Sequence, residues 1–480
     1  MIKKIFLGII LLLAVFLRFY RLPERATFLG DQGRDLLEAR ESLLAGQLPL
    51  VGPLSNEGVH AGPSYYYLIM PSLLMSHFHP LGPILFTTFL GVMSTYLIYW
   101  LGTKFFGQKP ALIAALLYAT SPLVIQQTSG LWNPIPVPFF SLLIIGAIYQ
   151  IQVEKKYCWF IYLGLFLSLA VQLYMPAYFL LFPVLGWWTF KIRGKHFPWS
   201  LIGFLTFVLA LLPFLVFQFQ NQFVDFKNLI LFLMEKLTLT PNRSVTNPLV
   251  LLAQQFRAIL TVGPNWLILS LGAIISFLPL IKGKNHWHWF FLSWFLTGIL
   301  VLTFFPGSSS PHYANFIWIL PFLLLASFFS LIKKTKLLFI GGFLLALINL
   351  KTYHNNFAVT NDLSRAETVS QFISQKAGQQ PFSILLLSAR SPSDAHFRYF
   401  LKLNQAPVEP LKNENACQLF LICTQPVCPN EQTVQKMSVV ETECLPRCPP
   451  LQEQKAVDLK QWQLVTAATL AEARIFLFKK

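Results

Sequence analysis

The chain has 480 residues, of which 55% are hydrophobic and only 12% are charged, and its mean hydropathy is +0.55. Soluble domains carry roughly 25% charged residues, so this composition excludes an ordinary soluble protein. The net charge of +17 would fit nucleic-acid binding in a soluble protein, but no basic module interleaved with aromatic residues is present. Basic loops beside membrane spans account for the excess, and no nucleic-acid partner is expected.

Apolar runs follow one another along the chain, each near the roughly 20 residues needed to cross a bilayer. They lie at 4–20, 82–103, 110–127, 135–152, 157–174, 177–190, 197–218, 261–281, 287–305, 312–332 and 336–351. The first run resembles a signal peptide, but it continues into Arg18 and Arg21 without a small-residue cleavage site, which favours a retained anchor. The sequence therefore predicts an all-α polytopic membrane protein with about eleven transmembrane helices.

Basic residues occur at every second connection between these runs. They are Lys3 and Lys4, Lys104 and Lys109, Lys155 and Lys156, Lys191, Arg193 and Lys195, Lys282 and Lys284, and Lys333, Lys334 and Lys336. The short connections at 128–134, 174–177 and 305–313 contain neither lysine nor arginine. Because basic residues in short loops stay in the cytoplasm, the pattern predicts a cell-membrane protein with a cytoplasmic N-terminus and an extracytoplasmic C-terminal region.

Three larger segments then lie outside: 21–80, 219–261 and the tail from about 353 to 480. In the tail, 361–376 has helical spacing of apolar residues, whereas 383–387, 419–423 and 474–478 are short apolar runs of strand length. This alternation predicts a small α/β domain. We therefore divide the chain into a transmembrane catalytic module at 1–351, which includes the first outer loop, and an extracytoplasmic domain at 352–480.

Five of the six cysteines lie in this tail, at 417, 423, 428, 444 and 448. An oxidising location favours disulfides among them, with one thiol left over. A zinc site is the weaker alternative, because the spacing lacks a repeated C-x2-C pair and no histidine lies among the cysteines. Cys158 begins a span and is interpreted as a packing residue.

The first outer loop contains the densest polar chemistry of the chain. Asp31 and Arg34 open an amphipathic helix whose apolar face is predicted to comprise Leu36, Leu37, Leu43 and Leu44 and to lie on the membrane surface. The simplest role for Asp31 is that of a helix N-cap. A carboxylate beside an arginine and a helix N-terminus also suits a general base that works next to a phosphate.

Several motifs in chain order resemble the GT-C fold glycosyltransferases, specifically the group of the protein O-mannosyltransferases and the lipid A aminoarabinose transferases. They are LGDQGR at 29–34, ESLLAGQLP at 41–49, HAGPSYYY at 60–67, LWNPIP at 131–136 and PHYANFIWILP at 311–321. The resemblance covers roughly the first 350 residues. It implies transfer of a sugar from a polyprenyl-phosphate carrier to a lipid, glycan or protein acceptor on the outer face.

The resemblance also implies roles for individual residues. Asp31 would be the general base, and the donor phosphate would be bound by Arg34 and Tyr313, with His312 beside them. Substrate contacts fall to His60, Tyr66 and Asn133, although a tyrosine here also fits an interfacial aromatic belt. Asn133 stands where many members have a second Asp, and Gln32 where they often have Glu, so Asp31 alone is left as a base.

The sequence also bears on possible cofactors and on two alternative functions. His60 stands where some relatives have a metal-binding Glu, which leaves the use of a divalent cation open, and no metal ligand is assigned. No Gly-rich nucleotide motif is evident. The alternative function is a transporter or flippase of lipid-linked sugars, which predicts ionisable side chains within the spans; the spans contain almost none. A scaffold that acts through its tail would leave Asp31 and Arg34 unexplained.

Overall fold

The structure is a computed structural model that describes residues 2–55, 58–191, 197–238, 246–282, 285–305, 310–356, 359–410, 416–440 and 456–480. By contact, the chain forms two compact units. Unit 1 comprises Met1–Tyr20, Pro49–Leu68 and Leu85–Ala358, and unit 2 comprises Arg21–Leu48, Ile69–Ile84 and Val359–Lys480. The division at 351 and 352 drawn from the sequence stays a prediction.

Helices dominate the chain up to residue 356. They are α1 (Ile2–Phe19), α2 (Leu22–Arg25), α3 (Gly30–Ala45), α4 (Ser64–Met75), α5 (Leu81–Phe106), α6 (Gln108–Thr120), α7 (Pro122–Gln127), α8 (Val137–Gln152), α9 (Trp159–Leu173), α10 (Leu181–Lys191), α11 (Phe197–Gln220), α12 (Val224–Thr238), α13 (Pro248–Phe256), α14 (Asn265–Lys282), α15 (His286–Phe304), α16 (Leu320–Ser330) and α17 (Thr335–Asn356). Short 3-10 helices at Met175–Leu180 and Pro311–Ala314 precede α10 and α16.

Each predicted apolar run falls on one or two of these helices. Within the described residues, five segments are long and apolar enough to cross a membrane: Leu81–Phe106, Phe197–Gln220, Asn265–Lys282, His286–Phe304 and Lys336–Tyr353. Others are shorter, such as α8, α9 and α16 with 16, 15 and 11 residues. The run at 110–127 divides into two helices, because Pro122 starts α7 and the Ser121 side chain accepts from Val124 N. The count of eleven spans therefore stays a prediction.

Small residues allow the helices of unit 1 to approach closely. A Cβ on Gly164 of α9 would lie 1.9 Å from the carbonyl oxygen of Gly203 in α11, and one on Gly342 of α17 would lie 2.4 Å from the Ile113 side chain in α6. Such contacts need a glycine, because apolar helices in a bilayer associate through close packing rather than through exclusion of water. The glycines thus fix which helix faces meet.

Among the described residues of unit 1, the charged side chain of Arg18, near the end of α1, is wholly buried. Its Nη1 and Nη2 donate to the Ala119 and Tyr118 carbonyls at 3.3 and 3.4 Å, and its Nε donates to Thr128 Oγ1 at 3.2 Å. These acceptors lie at and after the C-terminus of α6, where the helix dipole favours a cation. Arg18 therefore stabilises the break between α6 and α7.

The tail in unit 2 contains the predicted α/β elements. They are α18 (Asp362–Ala377), β1 (Phe382–Leu387), α19 (Ala395–Leu403), β2 (Gln418–Cys423), α20 (Glu431–Val434), β3 (Ser438–Val440), β4 (Ala456–Asp458), β5 (Gln463–Leu470) and β6 (Ala473–Lys479). The main sheet has the order β1-β2-β6-β5, with β1 and β2 parallel and the other pairs antiparallel. Leu419, Leu421, Phe476 and Phe478 are buried on this sheet. The helix and the three strands predicted from the sequence are confirmed, whereas β5 was not foreseen.

The predicted disulfide chemistry of the tail is confirmed at one pair. Cys423, at the end of β2, is bonded to Cys428, with a Cα–Cα distance of 5.9 Å. This bond removes two cysteines from any zinc site. Cys444 and Cys448 lie outside the described residues.

The first-loop helix α3 packs within unit 2 against α19. A Cβ on Gly33 would lie 2.3 Å from the backbone nitrogen of His396, and one on Gly30 would lie 2.6 Å from Ser393 Cβ. Leu36 and Leu37 are buried, but Leu44 is 59% exposed. The prediction of a helix on the membrane surface with four leucines on one face is therefore wrong: its first half packs on protein.

Candidate active site

The backbone N–H groups at the N-terminus of α3 are hydrogen-bonded by residues other than Asp31. The helix starts at Gly30, one residue earlier than predicted, and the Leu29 N–H donates to the Gln32 side chain at 3.0 Å. The Gly30 N–H donates to Ser391 Oγ at 3.1 Å. Asp31 is the second residue of the helix, and its side chain is 58% exposed. Its interpretation as an N-cap is wrong, and its carboxylate is available for other contacts.

Arg34 lies between two carboxylates. Its Nη1 is 3.5 Å from Asp31 Oδ1, one turn earlier on the same face of α3. Its Nε and Nη2 both donate to Asp35 Oδ1, at 3.1 and 2.9 Å. The Arg34 side chain is only 20% exposed, and that of Asp35 is 1% exposed. Asp35 thus holds the guanidinium from the buried side. The remaining nitrogen, Nη1, faces the exposed carboxylate of Asp31.

Asp35 has an unusual environment for a carboxylate. Burial raises its pKa to about 6, against the opposing effect of Arg34, and the nearby negative charges of Asp31 and Glu38 raise it further. Its Oδ2 has no hydrogen-bond partner among the residues that the structure describes. A buried carboxylate that keeps its charge beside an arginine marks a functional-site candidate.

A second polar pair lies in unit 1, where His60 meets α12. Asp225 Oδ1 accepts from the His60 backbone N–H at 2.9 Å and lies 2.8 Å from His60 Nδ1. The Gln218 side chain donates to the other Asp225 oxygen. Burial raises the pKa of Asp225, but these hydrogen bonds outweigh it, and the net direction is downward. Asp225 therefore fixes the imidazole with Nδ1 toward the carboxylate and leaves Nε2 for other contacts.

This pair is incomplete as a metal site. Catalytic zinc has three protein ligands. Across the described ranges, no group of three or more His, Cys, Asp and Glu side chains could hold a metal ion. His60 and Asp225 supply two ligand atoms, so we assign no catalytic step to a metal.

The three short connections that lack basic residues converge in unit 1. The His312 ring is 4.5 Å from Trp132 and 5.6 Å from Tyr174, measured between ring centroids. Tyr313 lies 5.7 Å from both Tyr174 and Phe305. One residue set thus joins connections that are far apart in sequence. It includes two of the three predicted phosphate-binding residues, His312 and Tyr313.

The side chains around His312 and Tyr313 are held by further contacts. Ser310 Oγ lies 2.8 Å from His312 Nδ1, which leaves Nε2 for another partner. Asn133, predicted to bind substrate, is buried, and its Nδ2 donates to the Leu173 carbonyl at 2.7 Å. It therefore ties the first of the three connections, at 128–134, to the end of α9.

Tyr66 is almost fully buried, at 3% exposure, and its ring lies 6.0 Å from that of Tyr65, which is also buried. A lipid-facing aromatic belt requires exposed rings, so these two tyrosines do not belong to such a belt. The predicted substrate contacts of Tyr66, His60 and Asn133 stay predictions.

Two acidic residues of these sites were missed from the sequence. Asp35 is adjacent to Arg34, but only the fold shows that its side chain turns into the protein. Asp225 lies 165 residues after His60. Its signal was its position in the second outer segment, where acidic residues are few.

Residues 60–217 match the model of a family described as dolichyl-phosphate-mannose-protein mannosyltransferase. A search of the curated proteins gives no match.

The fold is similar to that of ArnT from Cupriavidus metallidurans. For its apo crystal structure the TM-score is 0.64 at 9% identity, covering 100% of this chain and 98% of that one. For its structure bound to undecaprenyl phosphate the TM-score is 0.64 at 10% identity, covering 98% and 97%. At such low identity the likeness shows the fold. It confirms the predicted GT-C fold with a small C-terminal α/β domain, in a multi-pass membrane protein.

Proposed function

We propose that the protein is a glycosyltransferase that moves a sugar from a polyprenyl-phosphate carrier to an acceptor of the cell envelope on the extracytoplasmic face. The observation that carries the proposal is the exposed Asp31 beside an Arg34 that is held by the buried Asp35. The GT-C fold, the family match over 60–217 and a structural neighbour bound to undecaprenyl phosphate support this class of reaction and donor.

Asp31 acts as the general base in this proposal. Its carboxylate takes the proton of the acceptor hydroxyl, the acceptor oxygen forms a bond to the anomeric carbon, and the bond from that carbon to the phosphate oxygen breaks. The configuration at the anomeric carbon is thereby inverted. The exposure of Asp31 supports this role, because a base must reach the proton that it removes.

Arg34 stabilises the departing phosphate. The phosphate already carries charge, so it needs no general acid, and a fixed guanidinium can balance the negative charge that develops on it. A fixed guanidinium matters because a hydrogen-bond donor that is already oriented requires no reorganisation during the reaction. The two hydrogen bonds to Asp35 supply that orientation. No nucleotide takes part.

His312 and Tyr313 are assigned to the donor phosphate as a separate part of the proposal. Both belong to the aromatic group formed by the three short connections, and the Ser310 contact leaves His312 Nε2 for a further partner. The acceptor can be a lipid, a glycan or a protein, and His60, Tyr66 and Asn133 remain the residues proposed to contact substrate.

The test is transfer of labelled sugar from a polyprenyl-phosphate donor to an envelope extract from cells that lack the gene, by purified protein in nanodiscs. Asp31→Asn should lower turnover by about 100-fold or more while undecaprenyl phosphate still binds. Glu41→Gln is the matched control, because it removes an exposed carboxylate from the same helix. Arg34→Ala should lose both transfer and phosphate binding. Wild-type turnover by folded Asp31→Asn protein would overturn the mechanism.

A further inference from the structure

A cavity of about 480 Å³ lies among α8, α10 and α15 of unit 1, and none of the residues assigned above to the proposed reaction lines it. Its volume is in the range of small-molecule sites, roughly 300–1,000 Å³. The walls are strongly aromatic: they include Phe182, Trp187, Phe190, Trp287, Trp289 and Trp294. The proposed transfer reaction uses none of them.

The cavity lies at the basic ends of these helices. Gln152, which lines it, ends α8 three and four residues before the exposed Lys155 and Lys156. Phe190 lines it one residue before Lys191 ends α10. The nearest acidic residue in the sequence, Glu154, is paired with Lys104 at 3.6 Å. These ends are the ones that the lysine pattern assigns to the cytoplasm.

The cavity opens toward the surface of the helices rather than into their interior. Phe182, Phe190 and Trp289 line it and are 54%, 80% and 57% exposed. In a bilayer such side chains contact acyl chains, so a lipid can enter from the side.

Two tryptophans form part of the buried wall. The Trp187 indole N–H donates to Gln152 Oε1 at 2.6 Å, and the Trp294 side chain is 1% exposed. Their rings offer an occupant apolar surface.

We propose that this cavity binds one anionic phospholipid of the cytoplasmic leaflet. An acyl chain contacts the aromatic walls, and the charged head group lies near Lys155 and Lys156. Basic pockets between transmembrane helices on the cytoplasmic side bind anionic head groups for this reason. The phospholipid is a bound component, distinct from the sugar donor, which is used on the opposite face.

Gly186 provides a way to fill the cavity without disturbing the fold. It lines the cavity, and an added Cβ would meet nothing within 4 Å. Gly341 of α17 has equally open surroundings and does not line the cavity. Gly186→Leu should therefore displace the lipid, and Gly341→Leu is the matched control.

The measurement is native mass spectrometry of the purified full chain titrated with phosphatidylglycerol or phosphatidylcholine. Wild type and Gly341→Leu should retain one phosphatidylglycerol, whereas Gly186→Leu should bind it at least about tenfold more weakly. The double variant Lys155→Gln, Lys156→Gln should lose about tenfold in affinity for phosphatidylglycerol and little for phosphatidylcholine.

Three outcomes would overturn the proposal. One is unchanged lipid retention by Gly186→Leu, which would place the lipid elsewhere. Another is equal affinity of the wild type for both phospholipids, which would remove the role of charge. The third is displacement of phosphatidylglycerol by equimolar undecaprenyl phosphate from both wild type and Gly341→Leu, which would make the cavity a carrier site.

Discussion

Arg34 donates from both Nε and Nη2 to a single oxygen of Asp35, at 3.1 and 2.9 Å. Asp35 is buried, whereas Asp31, on the other side of the guanidinium, is largely exposed. A buried acceptor that takes two donors from one arginine fixes the plane of the guanidinium. We interpret Asp35 as a positioning residue: it acts on the proposed reaction through Arg34 rather than on the substrate.

The first prediction is that Asp35 imposes an acid limit on activity. Because its pKa is raised to about 6, protonation below that pH removes the charge that holds Arg34, and transfer should decline as the pH falls. Asp35→Asn keeps an acceptor oxygen without the charge, so it should cost about tenfold in transfer near pH 7.5 and flatten the acid limb. A pH–rate profile checks this, with Glu41→Gln as control. An unchanged limb in Asp35→Asn would assign it to another group.

The same variant should affect stability in the opposite sense. A carboxyl group with a raised pKa in the folded state contributes stability below its ordinary pKa of 3.8 that is lost as the pH rises through about 6. Asp35→Asn should therefore raise the melting temperature more at pH 8 than at pH 5. If Asp35→Asn loses transfer activity but gains stability, Asp35 positions Arg34 for the reaction rather than stabilising the fold.

Much of the fold could be predicted from local patterns. Long apolar runs give helices wherever they occur, and the strands at β1, β2 and β6 are short apolar runs between polar turns. β5 was missed because its residues are exposed or only partly buried and include few large apolar side chains, so they form no continuous apolar run. The partner of an amphipathic helix is also invisible locally: α3 has the pattern of a membrane-surface helix, yet it packs against α19.

Residue spacing in the sequence predicted less of the candidate sites than of the fold. Asp31 and Arg34 are one turn apart, so their pairing follows from helical periodicity. The contact between His60 and Asp225, and the meeting of Trp132, Tyr174 and His312, join segments distant in sequence. No local pattern records such contacts.

The second prediction concerns the contact between α3 and α19. A Cβ on Gly33 would lie 2.3 Å from His396 N, a backbone atom that cannot move alone. Gly33→Ala should therefore lower the free energy of unfolding by about 1–3 kcal/mol through overpacking. Gly8→Ala in α1 is the control, since its Cβ would meet nothing within 4 Å and alanine favours helix. Thermal melts of both proteins decide. Equal melting temperatures would show that α3 does not need this close approach.

The third prediction is that His60 and Asp225 stabilise unit 1 as a pair. A double-mutant cycle with His60→Asn and Asp225→Asn should give a coupling free energy of about 0.5–3 kcal/mol, because the residues are in direct contact. Equilibrium unfolding in mixed micelles supplies the four free energies. Additive effects would mean that the two side chains act independently.

The last prediction is the orientation of the chain in the membrane. The alternation of basic connections places α3 and the tail outside, and the Cys423–Cys428 disulfide is of the kind that forms in an oxidising compartment. Gly46, at the end of α3, and Lys376, near the end of α18, are exposed positions for truncating reporter fusions. Fusions there should be active with a reporter that needs export, and a fusion at Lys155, in a basic connection, should be active only with a cytoplasmic reporter. Cytoplasmic activity at Gly46 and Lys376 would reverse the topology and place Asp31 on the wrong face for the proposed reaction.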